Sequence, residues 1–505
     1  MLILIKSILL LFPLNNKIYY LIYKNKMSIE DAQMMAQIEN LPNSLRYGAR
    51  QLQVRVARTT NLLPINNTTV QGDGSGTTRF RFPSASIINL SSATVSFNST
   101  ISNLVTGTTN FINANFPASY KYIRRVQFYL GGISVAGSLC NQYNLVYHAM
   151  VRAVGNKEFA HTKVLEGFQE LVDGYDASGV LLNDPPAATS KSTYQQIDDF
   201  LLLAKGNGGT NEMMIDTSIW NDLELQIDFD DNKILSVYRD GTATNDTAKL
   251  VSWALSNIRL NVDVISSIPP IYASFLSIRS QRPEPIRLVF QNLVSQIQQV
   301  NGSNRLQVSS MCIDGLMVCP LSATYNQFAS FAGNVATTPA NPYNVTNPPY
   351  FNFNSGLDNT TAGQFSGVIQ VGSTQYPTTA YNNAYLLADS TLNHYWSNSM
   401  SATSLLFLSL LAKDNGTAGD QTLTEGTYVP STFLSNNCVW VQSFSLEDGW
   451  SSPQKVLSGI DTSSQNCEII VIQTGISSSL NFLLVGLLSS VLEFDTIAKR
   501  IRVIQ

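Results

Sequence analysis

From Gln51 to the C-terminus, the pattern that recurs is alternation. Arg79-Phe80-Arg81-Phe82, residues 94–97, residues 122–130, LELQIDF at 223–229 and IRLNVDV at 258–264 set apolar and polar side chains on alternate positions. That is the period of a strand with one face buried and the other wet. Between these runs lie long stretches rich in Gly, Asn, Thr and Pro, such as NNTTVQGDGSGTT at 66–78 and the segment 173–192. Short strands joined by long loops predict an all-β antiparallel sandwich, and no G-x-G-x-x-G follows a strand to suggest an α/β fold. One helix is expected over 141–153, where Val146, Ala149, Met150 and Ala153 share a face. It follows the strand and turn VQFYLGGISVAGS, whose Gly131-Gly132 pair predicts a turn needing positive φ. A second helix is expected around 381–400.

The chain has 505 residues, and single cores stop growing near about 250–300 residues, so more than one unit is expected. Residues 267–285 hold four prolines and divide the chain into near-equal halves. The expected organisation is a first β unit at 51–268, a Pro-rich linker at 269–285 and a second β unit at 286–505. No residue-level repeat relates the halves, so their likeness rests on layout. Upstream, MSIEDAQMMAQIE from Met27 begins a capped helical arm over 27–50, with Ser28 as N-cap and Glu30 and Asp31 in the first turn. The Lys-dotted apolar run at 1–26 suits neither a signal peptide nor a membrane span. It reads as a leader or upstream artefact, with Met27 the expected start.

Charge narrows the function. Lys, Arg, Asp and Glu make up 13% of the chain, with a formal net charge of −4, about half the charged share of an ordinary soluble domain. That balance supplies no polycation for tight, sequence-independent nucleic-acid binding. Residues 321–412 contain no Lys or Arg, and only Asp358 and Asp389 are acidic. The same stretch is aromatic, and Tyr343, Tyr350, Phe351, Phe353, Phe365 and Tyr376 are expected at a contact between subunits, with a flexible surface loop as the alternative.

Catalytic signatures are missing from the sequence. The three histidines, His148, His161 and His394, form no H-E-x-x-H and no paired-ligand spacing, and His148 reads as a helix-surface or packed histidine. Gly132-Ile-Ser134-Val-Ala136 lacks the last glycine of a nucleophile elbow. Gly72-Asp-Gly-Ser-Gly76 runs into Thr-Thr-Arg, not the lysine of a phosphate loop. Asp228, Asp230 and Asn232 imitate the opening of a calcium loop, but Lys233 and Arg239 stand where a glycine and a bidentate glutamate belong. Asp198 and Asp199 read as solvated turn charges. The five cysteines, Cys140, Cys312, Cys319, Cys438 and Cys467, are scattered and read as reduced core thiols, Cys312 and Cys319 included. No catalytic, cofactor-binding or metal-binding residue is expected, and the chain is not expected to be an enzyme.

The unit YIRRVQFYLGGISVAGSLCNQYNLVYHAMV, the closing hairpin VLEFDTIAKRIRVI and the two halves of similar length resemble the double jelly-roll major capsid proteins of virophages, polinton-like viruses and related eukaryotic double-stranded DNA viruses. The resemblance implies two consecutive eight-stranded antiparallel jelly rolls with long loops and one or two short helices. It implies homotrimers that tile an icosahedral shell, with penton and minor capsid proteins as further partners and the virion as location, after assembly in the host cytoplasm or nucleus. A long insertion at 321–435 would form a tower or an inter-subunit clasp, and the 27–50 arm would lie inside. The low positive charge of that arm fits a shell enclosing its duplex without tight binding. The alternatives are a viral spike or fibre, for which repeats or heptads would be expected, and a carbohydrate-binding β-sandwich protein.

Overall fold

A computed structural model describes residues 57–107, 111–154, 188–197, 214–220, 222–239, 244–265, 285–328, 330–332, 353, 355, 357, 365–382, 438–445, 459–463, 468–495 and 500–504. The first half holds β1 (Ala57–Leu62), β2 (Val70–Gln71), β3 (Thr77–Arg81), β4 (Ile87–Ser102), β5 (Ile112–Asn115), β6 (Ile123–Leu130), β7 (Ile133–Ala136), β8 (Ser190–Ile197), β9 (Met214–Asp216), β10 (Leu223–Phe229), β11 (Ser236–Arg239) and β12 (Ser252–Ile265), with helices α1 (Tyr143–Val154) and α2 (Asn245–Ala248). The second half holds β13 (Ile286–Gln299), β14 (Ser303–Gln307), β15 (Ile313–Leu321), β16 (Ser330–Ala332), β17 (Ser366–Val371), β18 (Thr374–Tyr381), β19 (Trp440–Ser443), β20 (Glu468–Thr474), β21 (Asn481–Asp495) and β22 (Arg500–Ile504).

Strand order identifies the architecture. In the first half one sheet runs β1-β12-β4-β8 and the other β3-β10-β6-β7. Counted along the chain as strands 1 to 8 of a roll, with β2, β5, β9 and β11 as additions, these orders are 1-8-3-6 and 2-7-4-5. The second half repeats them: β13-β21-β15-β19 is 1-8-3-6, and β14-β20-β17-β18 is 2-7-4-5. Every ladder in these four sheets is antiparallel. Two identical windings in one chain are a double jelly roll. The likeness of the halves, which the sequence carries only as layout, is a likeness of topology.

The first roll is filled from both sheets. Trp253 on β12 meets Tyr122 edge-on at 5.0 Å, and Tyr122 meets Phe97 on β4 at 5.5 Å. The buried Tyr122 hydroxyl is paired with Ser99 Oγ at 2.6 Å, which removes the cost of an unsatisfied polar group in a core. Between β6 and β7, Gly131 and Gly132 have φ of 56° and 82°. Positive φ at both central residues is the geometry a two-residue hairpin needs to match strand twist.

One expectation changes. The segment 321–435 is not one insertion, because β17 and β18, strands 4 and 5 of the second roll, lie inside it. Its low charge misleads there: β18 (TQYPTTAY) is a polar, partly exposed edge strand whose pattern reads as loop. The helix expected over 381–400 lies outside the described residues apart from Tyr381, which ends β18, and Asn382, which follows it. The arm at 27–50, residues 1–26 and most of the linker also lie outside them.

Candidate functional site: a roll-on-roll seam and its bare counterpart

The 1-8-3-6 sheet of the second roll is buried on both faces, and alternation sorts its side chains between two cores. Leu316 and Val318 on β15, Leu484 and Leu488 on β21, and Trp440 on β19 belong to the second roll's own core. Their neighbours Met317, Cys319, Leu483, Val485, Val439 and Val441 belong to the core cluster of the first roll. The sheet therefore reads as near-continuous apolar sequence, as strands covered on both faces do. Polar contacts pin the seam. Asn292 Oδ1 accepts from the Gly137 amide at 3.1 Å, Ser295 Oγ accepts from the Asn141 amide at 3.2 Å, and the Ser295 amide donates to the Leu139 carbonyl at 3.0 Å.

At one end of the seam Trp220 meets Phe494 at 5.7 Å. At the other, His148 on α1 meets Phe353 at 5.3 Å. Near the first end an apolar cavity of about 50 Å³ is lined by Phe128, Leu130 and Trp220 from the first roll and by Leu288, Phe290 and Leu492 from the second. A clasp crosses as well: β16 pairs in parallel with β11, adding a segment of the second half to a small sheet of the first.

The counterpart of the buried sheet is the 1-8-3-6 sheet of the first roll, and among the described residues nothing covers its outer face. That face carries Asn61, Ser96, Asn98, Tyr194, Arg259 and Asn261, which with Asn257 line a cleft of about 320 Å³. Tyr194 is 62% exposed. The pairing of β4 with β12 slips between Ser256 and Arg259, and Asn257 at the slip has φ of 53°. A bulge with a left-handed asparagine re-aims the side chains that follow it, here Arg259. Among the described residues Arg259 makes no ion pair. Charge is scarce on this face, as the sequence analysis anticipates for a contact surface, although the deficit had been assigned to 321–412.

The six residues expected at a contact are placed as follows. Tyr343, Tyr350 and Phe351 lie outside the described residues. Phe353 and Phe365 are 0% and 1% exposed, so both serve the protomer's own interior, Phe353 against His148 and Phe365 against Trp440 at 6.0 Å. Aromatic content alone does not distinguish an outer contact from an inner one. Tyr376 is half-buried and rests on Phe444 at 5.1 Å. The sequence reading passed over Tyr194, Asn257 and Arg259; the signal it offered was a run of short uncharged polar residues on the outward positions of 94–100.

In the calcium-like Asp228-Asp230-Asn232 run the carboxylates pair with cationic side chains. Lys233 Nζ lies 3.1 Å from Asp230 and 3.3 Å from Asp231, and Asp228 binds Arg125 at 2.6 Å. Among the described residues no cluster of His, Cys, Asp and Glu could hold a metal. Cys140, Cys312, Cys319 and Cys438 are buried free thiols, and burial raises Cys140 to about 11 and Cys438 to about 12. His148 is fully buried, with Nδ1 bonded to Tyr120 Oη at 2.5 Å.

No protein-family model matches the sequence, and a search of curated proteins finds no match. Among solved structures the chain is similar to the PBCV-1 virus capsid, with a TM-score of 0.48 at 10% identity over 87% of this chain and 94% of that one. It is also similar to the Faustovirus major capsid protein, with a TM-score of 0.46 at 10% identity over 87% and 90% of the two chains. A third similar structure is that of the Sputnik virophage, with a TM-score of 0.45 at 13% identity over 89% of this chain and 88% of that one.

Proposed function

We propose that the chain is a structural shell protein, the major capsid protein of a double-stranded DNA virus, acting by self-association and not by catalysis. One observation carries the reading. Within the chain, the 1-8-3-6 sheet of one roll is seated on another roll, while among the described residues nothing covers the equivalent sheet of the first roll. Repeating the in-chain step between chains seats the bare sheet on the second roll of a neighbouring copy. Contacts of this head-to-tail kind close into rings when the rotation allows; closure with six rolls, hence three chains, requires a step of one-sixth turn per roll. Such a pseudo-hexagonal trimer is a tile for an icosahedral shell.

The bare face suits the role. It is short-chained, uncharged and polar around one tyrosine and one arginine, residue types enriched at the energetic centres of interfaces. A formal charge of −4 favours enclosing a duplex over gripping it, and penton and minor capsid proteins would complete the shell. The test is the mass of the purified full chain by light scattering, with Arg259→Glu alongside. A trimer that Arg259→Glu weakens about tenfold or more supports the proposal. A stable monomer, or a trimer indifferent to the variant, overturns it. The cleft around Tyr194, with its asparagines and arginine, also favours a second reading as a carbohydrate site; saturable binding on a glycan array by an unassembled protein would select that reading.

A further inference from the structure

Asp314 is the residue at which β15 slips register against β21, between Ile313 and Gly315. It is 0% exposed. Its Oδ2 accepts from Ser489 Oγ at 2.5 Å, and its Oδ1 accepts from Cys312 Sγ at 3.3 Å. No lysine, arginine or histidine among the described residues pairs with it. A buried carboxylate with two neutral donors, one of them a weak thiol, is poorly compensated for the loss of water.

The same residues hold a neighbouring segment. Cys312 Sγ accepts from the Gly459 amide at 3.2 Å. Ile313 and Ile460 exchange backbone hydrogen bonds at 2.9 Å in both directions, and the Thr462 amide donates to the Ser310 carbonyl at 2.8 Å. There is little slack, because a Cβ on Gly459 would stand 2.4 Å from the Ile313 carbonyl oxygen and 2.8 Å from Cys312 Sγ. Whatever moves the Asp314–Cys312 pair moves the docking strip for residues 459–462.

We propose that Asp314 is a proton-operated latch of the second roll: protonated, it lets strands 3 and 8 and the 459–462 segment pack together, and ionised, it loosens that segment. Burial holds the Asp314 carboxyl above its ordinary value of 3.8, against the lowering pull of the Ser489 and Cys312 donors. The Cys312 thiol is itself pushed up to about 12 by burial and by Asp314, so it stays a neutral donor across the working range. Asp461, the other titratable group of the segment, is exposed, and the Ser463 donors hold it below its ordinary value. Above 3.8 the folded chain keeps a proton that the unfolded chain releases, so the latch is strongest in acid and weakens as pH rises to the folded-state value. The inference stands on the second roll alone and does not require the shell reading.

The experiment is hydrogen exchange on the full chain from pH 4 to pH 8, read at the Ile460 and Thr462 amides and corrected for intrinsic exchange. The expected result is a loss of protection with rising pH, about tenfold for each unit by which the carboxyl is raised. Asp314→Asn keeps the shape and should abolish the pH dependence. Ser489→Ala removes a donor that favours the ionised form and should move the loss to higher pH. A wild-type chain with flat protection, or an Asp314→Asn chain that keeps the wild-type profile, overturns the proposal. Should Asp314→Asn fail to fold, an unshifted Ser489→Ala profile does the same.

Discussion

The seam makes the two rolls one cooperative body, and Phe290→Ala tests that most sharply. Phe290 lies on β13 of the second roll, is 5% exposed, and faces Phe128, Leu130 and Trp220 of the first across the 50 Å³ cavity. Removing a buried phenyl ring costs about 3–5 kcal/mol, a range that includes the void left behind at roughly 24 cal/mol per Å³. For one cooperative body of both rolls, at about 2.1 cal/mol/K of unfolding entropy per residue, Tm moves roughly 1 °C per kcal/mol, so the single transition should fall by about 3–6 °C. Differential scanning calorimetry reads it, because a shared core melts in one transition and independent rolls melt in two. A single transition moving by that amount is expected. A transition at unchanged temperature beside a separate, displaced one would refute the shared core.

Glycine substitutions should separate conformational cost from collision. Gly132→Val, at φ of 82° with open space around it, should cost about 1–2 kcal/mol, whereas Gly137→Ala, at φ of 81° with its Cβ 1.8 Å from the Val126 carbonyl oxygen, should cost clearly more in urea unfolding. Asp228→Ala takes a charged hydrogen-bond partner from the partly exposed Arg125, bonded to it at 2.7 Å, and should cost about 1.5–3 kcal/mol in the same assay. Lys191, held down to about 8 by burial, gives up its proton in the fold before it does in the unfolded chain. Stability should therefore rise from about pH 8 toward the ordinary lysine value, and Lys191→Met should flatten that rise in a Tm-versus-pH series.

Much of this fold is legible from alternation, and the limits of that legibility are physical. LELQIDF and IRLNVDV announce β10 and β12 because one face of each strand is wet or polar over part of its length. The helix expected at 141–153 is found at Tyr143–Val154, and the halves proposed at 51–268 and 286–505 contain rolls whose described strands run from Ala57 to Ile265 and from Ile286 to Ile504. Pairing order, by contrast, is long-range: Ala57 opposes Ile265, and Ile286 opposes Phe494, and no local pattern encodes such partners. The site was legible only as chemistry. A scarcity of charge points to association, but Phe353 and Phe365 show that aromatic residues in a charge-poor stretch can serve the interior. Arg259 is conspicuous only once the Asn257 bulge and the absence of a counter-ion among the described residues are known.

The most direct test of the account is a cryo-electron-microscopy map of the assembled full-length protein. The account predicts particles of three times the 55.4 kDa chain, six rolls in a ring, with the Tyr194 and Arg259 face of each first roll seated on the second roll of the next copy. First rolls paired face to face about a two-fold axis, or a ring that leaves the Tyr194 face open to solvent, would contradict it.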